Sequence, residues 1–256
     1  MRSRSSPLRA PFFAAFALLP LAVVSLFLLA GQAPARAQGA RVGDEILGEE
    51  RTRLLDGFRR RQSEVTALSA RVIQRKSHPL LEKEVVSEGT LRYRRPNLMR
   101  WDVAGPVKMV VVMDGKTMTS YFPDRKEAFR RGLGDDMATQ AAMEFFAAGM
   151  SASFAELEKR FRLELLRDDD GVVVRLSPRS RWLARAVSSI DIHHGSRDAV
   201  PKRVVVAGRR GDRTETRILD VTVNPTFAED PFILVLGPDV RITEVGRPPA
   251  GGDDGA

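Results

Sequence analysis

From Gly89 to Pro123 the alternation of apolar and polar positions predicts four consecutive strands folded as two β-hairpins. In Thr90–Arg95 the period of two sets Leu91, Tyr93 and Arg95 on one face. A residue preceding proline is pushed into extended backbone, so Pro96-Asn97 supplies a tight turn and Leu98 to Val103 returns antiparallel. Gly105-Pro106 ends that strand. The run Met109-Val-Val-Val-Met113 forms the third, Asp114-Gly115 provides the positive φ of a two-residue hairpin, and Lys116 to Phe122 is the fourth. Apolar residues occupy both faces of these strands, so the sheet needs cover.

The flanking segments predict that cover and extend the sheet. Val42 to about Glu64 places Ile46, Leu47, Leu54, Leu55 and Phe58 on one stripe of a helix expected to pack across the sheet. Val65 to Lys76 and Leu81 to Arg94 read as long strands joined by a turn at Ser77, His78 and Pro79. Asp135-Asp136 suit an N-cap and Gly149 a helix end, so Met137 to Ala148 reads as a helix, polar only at Thr139, Gln140 and Glu144. Ser153-Phe-Ala-Glu156 matches a capping box opening a second short helix through Arg160. By composition this pair is either a buried part of the core or a lid over a cavity. Strands follow at Phe161–Leu166, Val172–Leu176, Val187–His193, Val200–Ala207 and Thr214–Val223, with turns at Asp168–Gly171 and Gly208–Asp212. The sequence contains no internal repeat, and one domain is expected over residues 38–245, with a disordered tail at 246–256.

The first 37 residues set the compartment: Arg2, Arg4 and Arg9 precede an apolar run from Phe12 to Ala30, and Ala35-Arg36-Ala37 offers a cleavage site. This reads as a secretory signal, residues 1–37, cleaved after Ala37; an uncleaved anchor is the alternative, because the run approaches membrane-spanning length. Either way the folded domain lies outside the cytosol. Removing the four arginines of that segment lowers the formal charge from +8 to +4, with the remaining basic pairs dispersed, which gives no nucleic-acid footprint. Cysteine is absent, excluding disulfides, thiolate metal sites and a lipid-modified cysteine; a chain of this size must be held by its core.

Catalytic and metal constellations are not legible. His193 and His194 are adjacent on a predicted strand and so point to opposite faces, His78 lies in a turn, and Asp168–Asp170 before Gly171 reads as a solvated turn. Arg210-Gly211-Asp212 is expected to be a hairpin turn, not an adhesion motif. There is no phosphate-cradling loop, dinucleotide fingerprint or nucleophile elbow. No enzyme activity, cofactor or metal is expected.

The segment Gly89-Thr-Leu-Arg-Tyr-Arg-Arg-Pro-Asn-Leu-Met-Arg-Trp101, with Pro106 and Asp114-Gly-Lys-Thr117, resembles the signature of the periplasmic outer-membrane lipoprotein carriers, the LolA-like proteins. Looser similarity runs over residues 42 to 245, through Leu176-Ser177-Pro178 and a closing Phe232-x-Leu234 strand before Gly237-Pro238. The resemblance implies an α+β fold: a half-open antiparallel β-barrel, in effect a strongly curved sheet, with an N-terminal helix and a helical lid. It also implies a monomeric carrier of acylated lipoproteins, loaded by an inner-membrane ABC-type releasing complex and unloaded at an outer-membrane acceptor. A lipid-sensing regulator of envelope stress on the same half-barrel is a second reading. The chain after Glu244 is short for the further domain such regulators carry. A carrier of another lipid, such as a glycolipid, is a third.

Under the carrier reading the acyl-chain surface comprises Leu91, Tyr93, Met99, Trp101, Met109, Val111, Met113 and Phe122, joined by Phe145, Phe146 and Met150 of the helical insertion. Methionine suits such a surface because its flexible thioether adapts to variable apolar ligands. Arg95, before Pro96, continues the Leu91–Tyr93 face to the strand end, where an unpaired charge would be costly. The resemblance gives it the role of hydrogen-bonding the lid. Many relatives carry an aromatic residue where this chain has Met99.

Overall fold

The computed structural model describes residues 43–133, 154–169 and 171–245. The signal segment, the Met137–Ala148 helix and the tail therefore lie outside the described residues. What is described is one curved, unclosed sheet of twelve strands: β1 (Ala67–Ser77), β2 (Val85–Arg94), β3 (Leu98–Ala104), β4 (Met109–Asp114), β5 (Thr117–Phe122), β6 (Glu127–Gly132), β7 (Phe161–Asp168), β8 (Gly171–Pro178), β9 (Val187–Gly195), β10 (Arg203–Gly208), β11 (Arg213–Val223) and β12 (Arg241–Glu244). Two helices, α1 (Gly48–Ser63) and α2 (Phe154–Arg160), accompany it. The α+β class and the half-open antiparallel sheet are as expected from the sequence.

The strand order is β12-β6-β5-β4-β3-β2-β1-β11-β10-β9-β8-β7. Every pairing is antiparallel except β12 with β6. This last pairing corrects the closing strand expected at Phe232-x-Leu234. Pro231 cannot donate to a ladder, and residues 225–240 instead cross the outer face as an irregular strap. Phe232 is buried there, its ring edge-on to Phe227 at 5.8 Å and under the Arg94 guanidinium at 4.9 Å. Pro231 carbonyl accepts from Arg100 Nη1 at 3.2 Å. The strap covers Val112 and the outer side of β4–β6, enclosing a cavity of about 220 Å³.

Three element boundaries also shift. Residues 43–46 are not helical. They run along the β7 edge, with Gly43 N donating to Arg167 O and Ile46 N to Leu165 O, which satisfies an edge that would otherwise expose unpaired backbone. Ile46 is thereby buried without belonging to the α1 stripe, which consists of Leu55, Phe58 and Gln62. Strand β2 starts at Val85 and not Leu81, and β10 at Arg203 and not Val200, because Pro201 lacks the N–H that a ladder needs.

Inner-face residues form two clusters. In one, α1 and α2 press Leu55, Phe58, Phe154 and Leu157 onto Leu163, Leu165, Val174, Leu176, Ile190 and Ile192. So α1 packs on the β7–β9 half, not across the whole sheet. The other cluster lies mainly on β1–β5 and contains the apolar residues of the hairpin signature. Gln74 and Thr216, both buried, form a polar rung between them, Nε2 donating to Oγ1 at 3.3 Å.

Candidate functional site

The two signature hairpins are built for close registration. Gly89 faces Val103, and a Cβ there would stand 1.9 Å from the Asp102 carbonyl oxygen, so only glycine lets β3 approach. At the turn, Tyr93 Oη donates to Pro96 O at 3.3 Å and Asn97 Nδ2 to Gly115 O at 3.2 Å, tying one hairpin tip to the next. Asp114 Oδ1 accepts from the N–H groups of Lys116 at 2.9 Å and Thr117 at 2.7 Å, and Oδ2 from Thr117 Oγ1 at 2.9 Å. Partial burial works against that carboxylate, yet these bonds prevail and hold its pKa below the usual range. Much of the signature therefore specifies backbone geometry, while its apolar members line the sheet.

On the inner face the register aligns Leu68, Tyr93, Met99, Met113 and Met118 in one row across β1–β5. A second row holds Ala70, Leu91, Trp101, Val111 and Ser120. Leu91, Tyr93, Met99, Trp101, Val111 and Met113 thus meet in one buried cluster, with Met109 at its edge. Phe122 is buried but outside that cluster, its ring edge-on to Phe129 at 6.0 Å. Phe145, Phe146 and Met150 lie outside the described residues. Pro96 sits in the β2–β3 turn.

Leu68, Val72, Val103, Met118 and Val200 also belong to this cluster, beyond the residues expected from the hairpins. The first four were accessible from period-two alternation in their strands. Val200 carries no such signal, since it comes from an irregular segment between β9 and β10 that only tertiary folding brings to the cluster.

Arg95 was expected to hydrogen-bond the lid. One of its hydrogen bonds runs to the N-terminal helix: Nη2 donates to Gln62 O at 2.6 Å, while its backbone N–H donates to Thr66 O. A cation on the final turn of α1 meets the negative end of the helix dipole and its outward carbonyls. The arginine thus joins the hairpin tip to the C-terminal end of α1. Of the two helices expected to form the lid, residues 137–148 lie outside the described residues, and α2 packs into the β7–β9 cluster.

A cavity of about 780 Å³ opens between residues 195–203 and β11. Ala199, Val200 and Ile218 form an apolar wall shared with the inner cluster, whereas Asp168, His193, Arg203 and Arg217 form a polar one. Asp168 is not a freely solvated turn residue. Its Oδ2 lies 2.8 Å from His193 Nδ1, and this bond, with further help from Asp169 N–H, holds the carboxyl pKa down. His194 points to the opposite face, against the Phe58 ring at 4.8 Å. Among the described residues no group of three or more His, Asp or Glu is placed to hold a metal ion, and no helix is long and apolar enough to cross a membrane.

Burial, followed by the Arg61 charge, pushes the His194 pKa down to about 4. The unfolded chain then takes up a proton near pH ~6.5 while the folded chain does not, so stability is full above that pH and falls as pH drops toward about 4. Between pH ~7 and ~4.5 this group alone should remove about 2–3 kcal/mol. Thermal melts across that window are expected to show a much flatter slope in His194→Gln than in the native chain; parallel slopes would rule out His194 as the source.

The curved sheet, apolar inside and built on this hairpin pair, defines a half-open β-barrel binding protein. The chain belongs to the family described as "Outer membrane lipoprotein carrier protein LolA", whose model matches residues 63–234. Members of that family are binding proteins and not enzymes. An outer-membrane lipoprotein carrier protein of Bordetella avium is 29% identical over 155 residues, covering 59% of this chain and 69% of that protein. Its Bordetella pertussis counterpart is 30% identical over 131 residues, covering 51% of this chain and 58% of its own length. Among solved structures, a LolA superfamily protein of Nitrosomonas europaea superposes with a TM-score of 0.39 at 12% identity, covering 69% of this chain and 94% of that one.

Proposed function

We propose that this protein is a periplasmic carrier that holds the acyl chains of lipoproteins on the inner face of β1–β5 and moves them from the inner to the outer membrane. Its donor would be an ABC-type releasing complex of the inner membrane and its recipient an outer-membrane acceptor. The observation that carries this reading is that Leu91, Tyr93, Met99, Trp101, Val111 and Met113 meet in one apolar cluster on an open sheet. A closed barrel would have no way to admit a long chain from the side. Each buried CH₂ contributes about 0.8 kcal/mol, so a sixteen-carbon chain gains on the order of 10 kcal/mol on leaving water. Spontaneous release would be slow, and handover requires a closed form whose opening is finely balanced.

Under this reading Arg95 sets that balance through its bond to the end of α1. Replacing Arg95 with Leu removes a charge-assisted bond to Gln62 O and should lower stability by about 1–2 kcal/mol while leaving the fold intact. Transfer of bound lipoprotein to acceptor-bearing membranes is expected to change several-fold. Unaltered loading and transfer in the folded variant would remove Arg95 from the mechanism.

The reading as a whole is tested by isolating the protein from the periplasm and weighing it intact under native conditions. A co-purified acylated protein is the expected finding. Recovery with free glycolipid alone would replace lipoprotein by another lipid as cargo, and N-terminal sequencing that finds residues 1–37 retained in membranes would overturn the soluble-shuttle reading.

A further inference from the structure

We infer that Trp101 is a hydrogen-bond donor for the carbonyl of a bound acyl ester or amide, so that the inner face selects acylated ligands over plain hydrocarbon. The inference deepens the carrier reading and rests on it. Trp101 is only 3% exposed, yet its indole Nε1 finds no hydrogen-bond acceptor among the described residues. Its position in the sheet explains why. Leu91 and Val111 flank it in register, and Met99 and Val103 precede and follow it on the same face of β3; all belong to the apolar cluster.

Along that row the first residue with a side-chain oxygen is Ser120, opposite Val111 on β5. It is two strand spacings from Trp101, about 9–10 Å. Backbone carbonyls of β2–β4 are engaged in the ladders that hold the sheet together. An aromatic residue needed only for volume would leave no donor stranded there, and a buried donor left unpaired is destabilising. A hydrocarbon chain cannot satisfy it. The carbonyl at the head of an acyl chain can, and its remaining methylenes match the Met99, Val111 and Met113 surroundings.

The test crosses two proteins with two ligands: the native chain and Trp101→Phe, each titrated with a dipalmitoyl-glyceryl-cysteine lipopeptide and with its dihexadecyl ether analogue, which lacks the ester carbonyls. The native chain should bind the ester about fivefold more tightly than the ether, the value of one net hydrogen bond. Trp101→Phe should lose that preference and bind ester and ether equally. An equal loss for both ligands would make Trp101 a packing residue and overturn the assignment, as would a preference that survives the substitution.

Should the variant unfold, the native chain still decides the matter. It has two tryptophans, and the other, Trp182, is 50% exposed. The indole proton resonance of Trp101 should move downfield with the ester and stay in place with the ether; no such difference would overturn the proposal. A native chain that binds neither ligand would instead overturn the carrier reading itself. Dipalmitoylphosphatidylglycerol carries the same esters without a peptide. Tighter binding of that lipid than of the lipopeptide would keep the role of Trp101 and move the source of the carbonyl to phospholipid.

Discussion

Replacing Gly89 with alanine should destabilise the protein by on the order of 3 kcal/mol, although only one methyl is added. The new Cβ would stand 1.9 Å from the Asp102 carbonyl oxygen and 3.1 Å from Val103 Cα, and both are backbone atoms of the neighbouring strand. A flexible side chain could swing away; a strand held by ladders on both sides cannot. The pairing of β2 with β3 would have to open at Gly89–Val103, next to the Leu91–Trp101 pair that carries the inner surface. For a domain of this size a loss of ~3 kcal/mol lowers Tm by roughly 6–12 °C. Thermal unfolding measures it directly, and a shift below about 2 °C would show that the strands can separate there without harm.

Met99→Glu should have the largest effect on binding. Met99 is 1% exposed and lies in register between Tyr93 and Met113, so a carboxylate in its place has no cation beside it in that row. Keeping an unpaired carboxylate from water costs several kcal/mol, comparable with the burial of several CH₂ groups of an acyl chain. Displacement of a fluorescent apolar probe is expected to weaken by about a hundredfold or more, and Tm should fall as well. Met99→Leu, which preserves volume, should retain most of the native Tm. A folded Met99→Glu variant that binds the probe normally would remove Met99 from the cargo surface.

These two substitutions mark how far the hairpin signature could be read from sequence. Leu91, Tyr93, Met99, Trp101, Val111 and Met113 were assigned to one face by period two, and the structure gathers them in one cluster. That works because side-chain alternation is a local property of extended backbone, and Pro96-Asn97 and Asp114-Gly115 fix the turns that set register. The requirement for glycine at position 89 was not legible in the same way. It arises from the approach of Asp102, which belongs to a different strand.

Long-range contacts likewise account for the corrected expectations. Phe232-x-Leu234 has strand-like alternation, yet its partner surface is the outer face under Arg94 and Val112, where no ladder is available to it. Ile46 fits a helical stripe by spacing, but the uncovered β7 edge draws residues 43–46 into extended pairing. Arg95 was identified from its place at the strand end, and the tertiary structure adds one acceptor, Gln62 O, 33 residues earlier in the chain.

By itself the sequence determined the strands, the turns and the apolar side of the two signature hairpins, because each depends on neighbours within a few residues, whereas β6 and β12 were not read from it. The family signature added the half-open barrel as an expectation. Only the tertiary structure decided which half of the sheet α1 covers, that Val200 and Ile218 border the inner cluster from a cavity of about 780 Å³, and that Trp101 keeps an indole N–H buried among apolar side chains. Those outcomes depend on which distant segments meet, and local alternation of polar and apolar residues does not encode that.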